Sequence, residues 1–143
     1  MRRFRFMHKL PAVSVFAAAA AVSVASGCSA PRGDSLMGQW SGTVAALTLS
    51  LDVNIGYESA GSYFSGTLRT SDGTCFKSGM LVARVTDNTV EIMASGSGSK
   101  SQNSIIRITG EQTADTITAL FSMKGELGAT CDLATTEFTL QRK

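Results

Sequence analysis

The chain has 143 residues, with 13 Lys and Arg against 11 Asp and Glu and a single histidine. Arg2, Arg3, Arg5, Lys9 and that histidine, His8, all precede Leu10; beyond them nine basic residues face eleven acidic ones, a net charge of −2 with no histidine. This excludes a Ser-His or Cys-His nucleophile pair and any histidine-bearing metal site, and it leaves no basic patch of the kind nucleic acid requires.

Residues 1–27 have the composition of a secretory leader. A basic start is followed by an uncharged stretch from Leu10 to Ala25, including the alanine run Ala17 to Ala21, and then by small residues. The uncharged stretch is 16 residues long and contains Pro11, short of the ~20 apolar residues a spanning helix needs. Its end, Ala25-Ser26-Gly27-Cys28, resembles the lipobox of bacterial lipoproteins, with Ala25 where that family usually has leucine. The resemblance implies cleavage before Cys28, diacylglycerol on its sulfur, and attachment to a membrane through N-terminal acyl chains such as palmitate. Ser29 rather than aspartate follows, which by the same resemblance implies the outer membrane of a two-membrane host. Ordinary cleavage after Gly27 or Ala30 would instead release a secreted domain. Residues 28–37 then read as the lipidated N-terminus and its tether, and residues 38–143 as one folded domain.

From Gln39 onward the pattern has period two. The sequence predicts strands at Gln39–Val44, Leu47–Ile55, Tyr63–Thr70, Gly79–Val85, Val90–Ala94, Ser104–Thr109, Ile117–Lys124 and Thr136–Gln141. In Leu47 to Ile55 every odd position is apolar and every even one polar, which places five apolar side chains on one sheet face. Ser71-Asp72-Gly73, Asp87-Asn88 and Ala114-Asp115 are turn signals, and Gly96 to Asn103 reads as a mobile polar loop. Trp40-Ser41-Gly42-Thr43-Val44 echoes Phe64-Ser65-Gly66-Thr67-Leu68 without a regular repeat. The connections suit antiparallel hairpins and are too short for crossover helices. The expected fold is therefore all-β: a small eight-stranded antiparallel up-and-down barrel, with a β-sandwich as the alternative. A barrel of eight strands is filled by side chains or holds one small ligand.

With Cys28 acylated, Cys75 and Cys131 remain, and an even pair in an exported chain reads as a disulfide. Two cysteines without histidine fall short of a zinc site, and no other metal or cofactor is expected.

Gly38-Gln39-Trp40 at the head of the first strand resembles the G-x-W of the lipocalins and, more distantly, the avidins. The resemblance implies that Trp40 closes one barrel end against Arg142 through a cation–π contact, that Cys75 and Cys131 tie a mid-barrel strand to the C-terminal region, and that the barrel holds a small apolar ligand. Small periplasmic protease inhibitors also begin with G-x-W, but their cysteines sit close together after the tryptophan, unlike Cys75 and Cys131.

Catalytic patterns are incomplete. Gly96-Ser97-Gly98-Ser99-Lys100-Ser101 has serine where a phosphate-binding loop needs glycine before the lysine, and a predicted strand follows instead of a helix. Ser97 and Lys100 satisfy S-x-x-K without its helix start. No two of the carboxylates stand out as an acid–base pair. Tyr57, Tyr63 and Phe64 flank Ser59-Ala60-Gly61-Ser62; aromatics beside such a loop form a binding surface or cap the core. With Trp40 they are the candidate ligand-binding residues. The expectation is a non-enzymatic envelope lipoprotein that binds a small apolar ligand; the alternative is a filled barrel that engages or inhibits an envelope protein.

Overall fold

Leu81, Ala83 and Val85 are buried while Val82, Arg84 and Thr86, which alternate with them, are exposed, and this two-residue period builds the whole domain. The computed structural model describes residues 36–57, 62–126 and 131–143. They form β1 (Gly38–Val44), β2 (Leu47–Tyr57), β3 (Ser62–Thr70), β4 (Ser78–Thr86), β5 (Thr89–Ser97), β6 (Ser104–Thr113), β7 (Thr116–Gly125) and β8 (Leu133–Arg142). Each strand pairs antiparallel with the next, and β1 returns to β8 through Trp40↔Arg142 and Ser41↔Gln141. The sheet is a closed eight-stranded barrel, so the barrel expectation holds and the sandwich does not. The leader and Cys28 lie outside the described residues.

Inward side chains fill the barrel. Leu49, Leu68, Leu81, Val90, Ile106, Ile108, Ile117 and Phe121 have no exposed surface, and Trp40, Phe64, Phe76 and Phe138 join the same cluster. Phe121 and Phe138 meet edge to face with centroids 5.9 Å apart, an arrangement that adds about 1 kcal/mol to the burial of their area.

Three expectations need correction. Ile55 does not continue the inward face of Leu47 to Val53. A bulge between Val53 and Ile55 shifts the register against β3, and Ile55 stands outside, 47 % exposed. One extra residue in a strand moves every later side chain to the opposite face. Nor is Gly96 to Asn103 a free loop. Gly96 and Ser97 belong to β5, Ser101 is buried, and the amides of Ser99 and Lys100 donate to the carbonyls of Gly73 (3.1 Å) and Thr74 (2.8 Å). The tether ends earlier than expected, because Leu36 is fully buried and Met37 packs against the core.

Two backbone positions show what closure demands. Gly66 lies opposite the bulge, where a Cβ would stand 1.9 Å from the Asp52 carbonyl oxygen. Ala45 and Ala46 join β1 to β2 with φ of 46° and 66°; two positive φ values suit an Asn-Gly hairpin turn and cost alanine about 1 kcal/mol each. Chemical denaturation should read both. Replacing Ala45-Ala46 by Asn-Gly raises stability by about 1 kcal/mol, and Gly66→Ala lowers it by about 3 kcal/mol, at the upper end of overpacking costs.

Candidate functional site

One end of the barrel gathers the start of β1, the β6–β7 turn and the end of β8. Trp40 is 1 % exposed, and its indole Nε1–H donates to the Leu36 carbonyl at 2.9 Å. The Arg142 guanidinium lies 4.3 Å from the Trp40 ring centroid. Its Nε–H donates to the Asp115 carboxylate at 2.8 Å, and another of its N–H groups donates to the Met37 carbonyl. Gly38 makes room for that guanidinium: its φ is +118°, and a Cβ there would lie 3.2 Å from it. The Trp40–Arg142 contact is present, and it holds the N-terminal segment down as a plug over the core.

The opposite end is closed by the disulfide. Cys75, between β3 and β4, bonds Cys131, just before β8, across 56 residues, with Cα atoms 5.4 Å apart. A crosslink over a loop of this length contributes about 4 kcal/mol by the chain-entropy argument. Phe76 is buried beneath it; the Thr70 hydroxyl donates to the Phe76 carbonyl, and the Ser104 hydroxyl donates to the Cys75 carbonyl at 2.7 Å. Beside the disulfide is a hollow of about 200 Å³ lined by Leu47, Phe76, Met123 and Leu133, with Asp72 at its rim. Ligand sites usually measure about 300–1,000 Å³.

The third feature is on the outer wall. Tyr63 (β3), Met80 and Val82 (β4), Met93 (β5) and Ile105 (β6) point outward and are between 40 and 73 % exposed. Register makes them neighbours. Val82 stands opposite Met93, Met80 opposite Ser95, and Ser95 opposite Ile105, while Tyr63 stands opposite Arg84, two residues from Val82. Direct and diagonal cross-strand neighbours touch, so these side chains make one apolar face. A groove of about 350 Å³ runs along it, walled by Tyr63 and Arg84 on one side and by Arg107 and Thr109 on the other, with Met93 and Glu91 between. Arg84 stacks on Tyr63, 5.8 Å from the ring centroid.

The structure does not bring the four sequence-derived ligand-binding candidates together. Trp40 and Phe64 point inward, 1 % and 3 % exposed, whereas Tyr63 points outward. Adjacent strand residues face opposite sides of the sheet, so Tyr63 and Phe64 share no surface. Tyr57 ends β2, and its side chain lies outside the described residues, as does the loop of residues 58–61. The outer apolar face was missed, although a signal for it exists. Met80-Leu81-Val82-Ala83, Ile92-Met93-Ala94 and Ile105-Ile106 interrupt the polar–apolar alternation, and an uninterrupted apolar run in a one-sided sheet puts apolar side chains on both faces. No group of three or more His, Cys, Asp or Glu positioned for a metal ion occurs among the described residues.

If Arg142 locks the plug, Arg142→Ala destabilises the domain by about 2 kcal/mol, since it removes hydrogen bonds to a charged donor and a cation–π contact. Asp115→Asn changes stability by less than about 0.5 kcal/mol, because that carboxylate is 77 % exposed and surface ion pairs contribute little. Urea unfolding of both variants makes the comparison; equal losses would place the lock in the ion pair instead.

Comparison of this chain with protein families, curated proteins and solved structures finds no match.

Proposed function

We propose that this protein is a cell-envelope lipoprotein, anchored through Cys28, whose filled barrel serves as a non-catalytic module for binding another protein by its outer surface. The observation that carries this reading is the sidedness of the apolar residues: large inward side chains pack on one another, while a contiguous apolar face is open on the wall of β3 to β6. Monomeric domains seldom leave such a face uncovered unless it meets a partner. A closed barrel offers no free strand edge, so a partner engages side chains and not backbone.

The basic start, the short uncharged stretch and Cys28 support export and lipid anchoring in the outer membrane. The Trp40–Arg142 contact supports the lipocalin resemblance at the level of one barrel end. A second reading, a small apolar ligand, is favoured by the hollow beside the disulfide, lined by Leu47, Phe76, Met123 and Leu133. Its volume of about 200 Å³ suits only a compact molecule.

Native mass spectrometry of the protein extracted from its own envelope, set against the denatured mass, tests the proposal. The expected result is a denatured mass that includes acyl chains on Cys28 and a native mass larger by a protein-sized increment. A small-molecule increment on a monomer would favour the ligand reading, and an unacylated mature chain would remove the anchor.

A further inference from the structure

The outer wall of β3 to β6 also carries information about what it meets. Arg84 and Arg107 both line the groove, and among the described residues neither has a carboxylate within ion-pair distance. Glu91, the one carboxylate of the lining, stands opposite Arg84 in the register beyond ion-pair distance, so the groove carries one more positive than negative charge and Arg107, opposite Met93, has no acidic partner across that strand pair. The chain beyond Lys9 has a net charge of −2, so this face is a basic exception on an acidic domain. Around the arginines stand Tyr63, Val82 and Met93, giving each cation an apolar border that strengthens its attraction for a carboxylate once a partner excludes water. Arginine and aromatic residues at the centre of an apolar patch are the usual anchors of protein interfaces.

Position favours an occupant other than the membrane. In the ring of eight strands β5 lies diametrically across from β1. The described chain begins at Leu36, immediately before β1. The β4–β5 wall is therefore on the far side of the barrel from the strand that receives the N-terminal segment. A second copy fits less well, since it would bring to two arginines a groove whose lining holds the single carboxylate Glu91.

We propose that the groove along β5 docks a segment of another envelope protein that presents apolar side chains flanked by aspartate or glutamate, with Arg84 and Arg107 receiving the carboxylates and Val82 and Met93 the apolar side chains. This rests on the interaction-module reading and names the partner's chemistry and the face it uses.

The experiment is site-specific photocrosslinking of the full-length protein in its own host. A benzophenone amino acid replaces Val82 or Met93, outward on the proposed face. The same probe at Thr43 or Thr139, exposed on β1 and β8, or at Lys100, exposed at the disulfide end, provides the comparison. The proposal expects an adduct with a different protein at positions 82 and 93 and none at 43 and 139. The crosslinked segment should contain Asp or Glu beside apolar residues. The double variant Arg84→Glu with Arg107→Glu should lower the adduct yield about tenfold, the scale of roughly 1.4 kcal/mol of lost attraction, with cooperative thermal unfolding retained despite the loss of the Arg84–Tyr63 stack. A lipid adduct, an adduct with a second copy, equal yields on both faces, or insensitivity to the charge reversal overturns the proposal. Adducts confined to position 100 overturn this face and keep the interaction module. No adduct at any position, together with a native mass lacking a partner, overturns both.

Discussion

The structure depends on closing a sheet whose two terminal strands share only two register pairs. β1 and β8 pair only at Trp40↔Arg142 and Ser41↔Gln141, yet this seam removes both sheet edges and encloses the core. Arg142 serves the seam twice, through its backbone position opposite Trp40 and through a guanidinium that covers the indole and reaches the Met37 carbonyl. The Lys143 amide adds a bond to the Gln39 carbonyl at 2.9 Å. One residue near the C-terminus thereby orders the segment that enters the barrel at Leu36. At the other end, where the loops are longer, a covalent bond between Cys75 and Cys131 takes the same part.

Two sealed ends and a packed interior determine where recognition can occur. Trp40 covers one mouth, Phe76 and the disulfide cover the other, and the space between is taken by Leu, Ile, Val and Phe. The surfaces left are the walls and loops, and among the described residues the wall of β3 to β6 carries the most contiguous apolar exposure. Among those same residues its arginines stand without ion pairs beside that apolar surface, an arrangement that suits a partner bearing carboxylates.

Much of the fold was legible because a half-buried strand must alternate. Leu47 to Val53 keeps the period strictly and became a strand with the apolar set inside, while Leu81 to Val85 and Ile117 to Met123 supply an inward apolar set even though Val82 and Leu120 between its members are apolar and face outward. The disulfide followed from pairing the two cysteines left in an exported chain. Ile55 was illegible, because nothing in Val53-Asn54-Ile55 announces a bulge; the extra residue is set by pairing with Gly66 and Ser65 on β3. Ala45-Ala46 likewise contains no turn-forming residue, and the turn is imposed by the two strands it joins. The Gly/Ser loop misled for a related reason. Composition gives the flexibility of an isolated segment, whereas the Ser99 and Lys100 amides are fixed by bonds to the Gly73 and Thr74 carbonyls, far away in sequence, and the Gly98 amide donates to the Ser101 carbonyl. The site was the least legible part, since a rule that sends apolar residues inward hides the ones that function outside.

The central claim is that the Trp40 end is a permanent plug and not a gate. Hydrogen exchange of the Trp40 indole N–H, followed by NMR beside the amides of Leu51 and Ile108, tests it most directly. A plug predicts that the indole proton exchanges as slowly as those core amides, through global unfolding alone. Exchange of the indole while the amides stay protected would mean that this end opens on its own. The barrel would then be a container with a lid, and the claim of a permanently sealed end would be wrong.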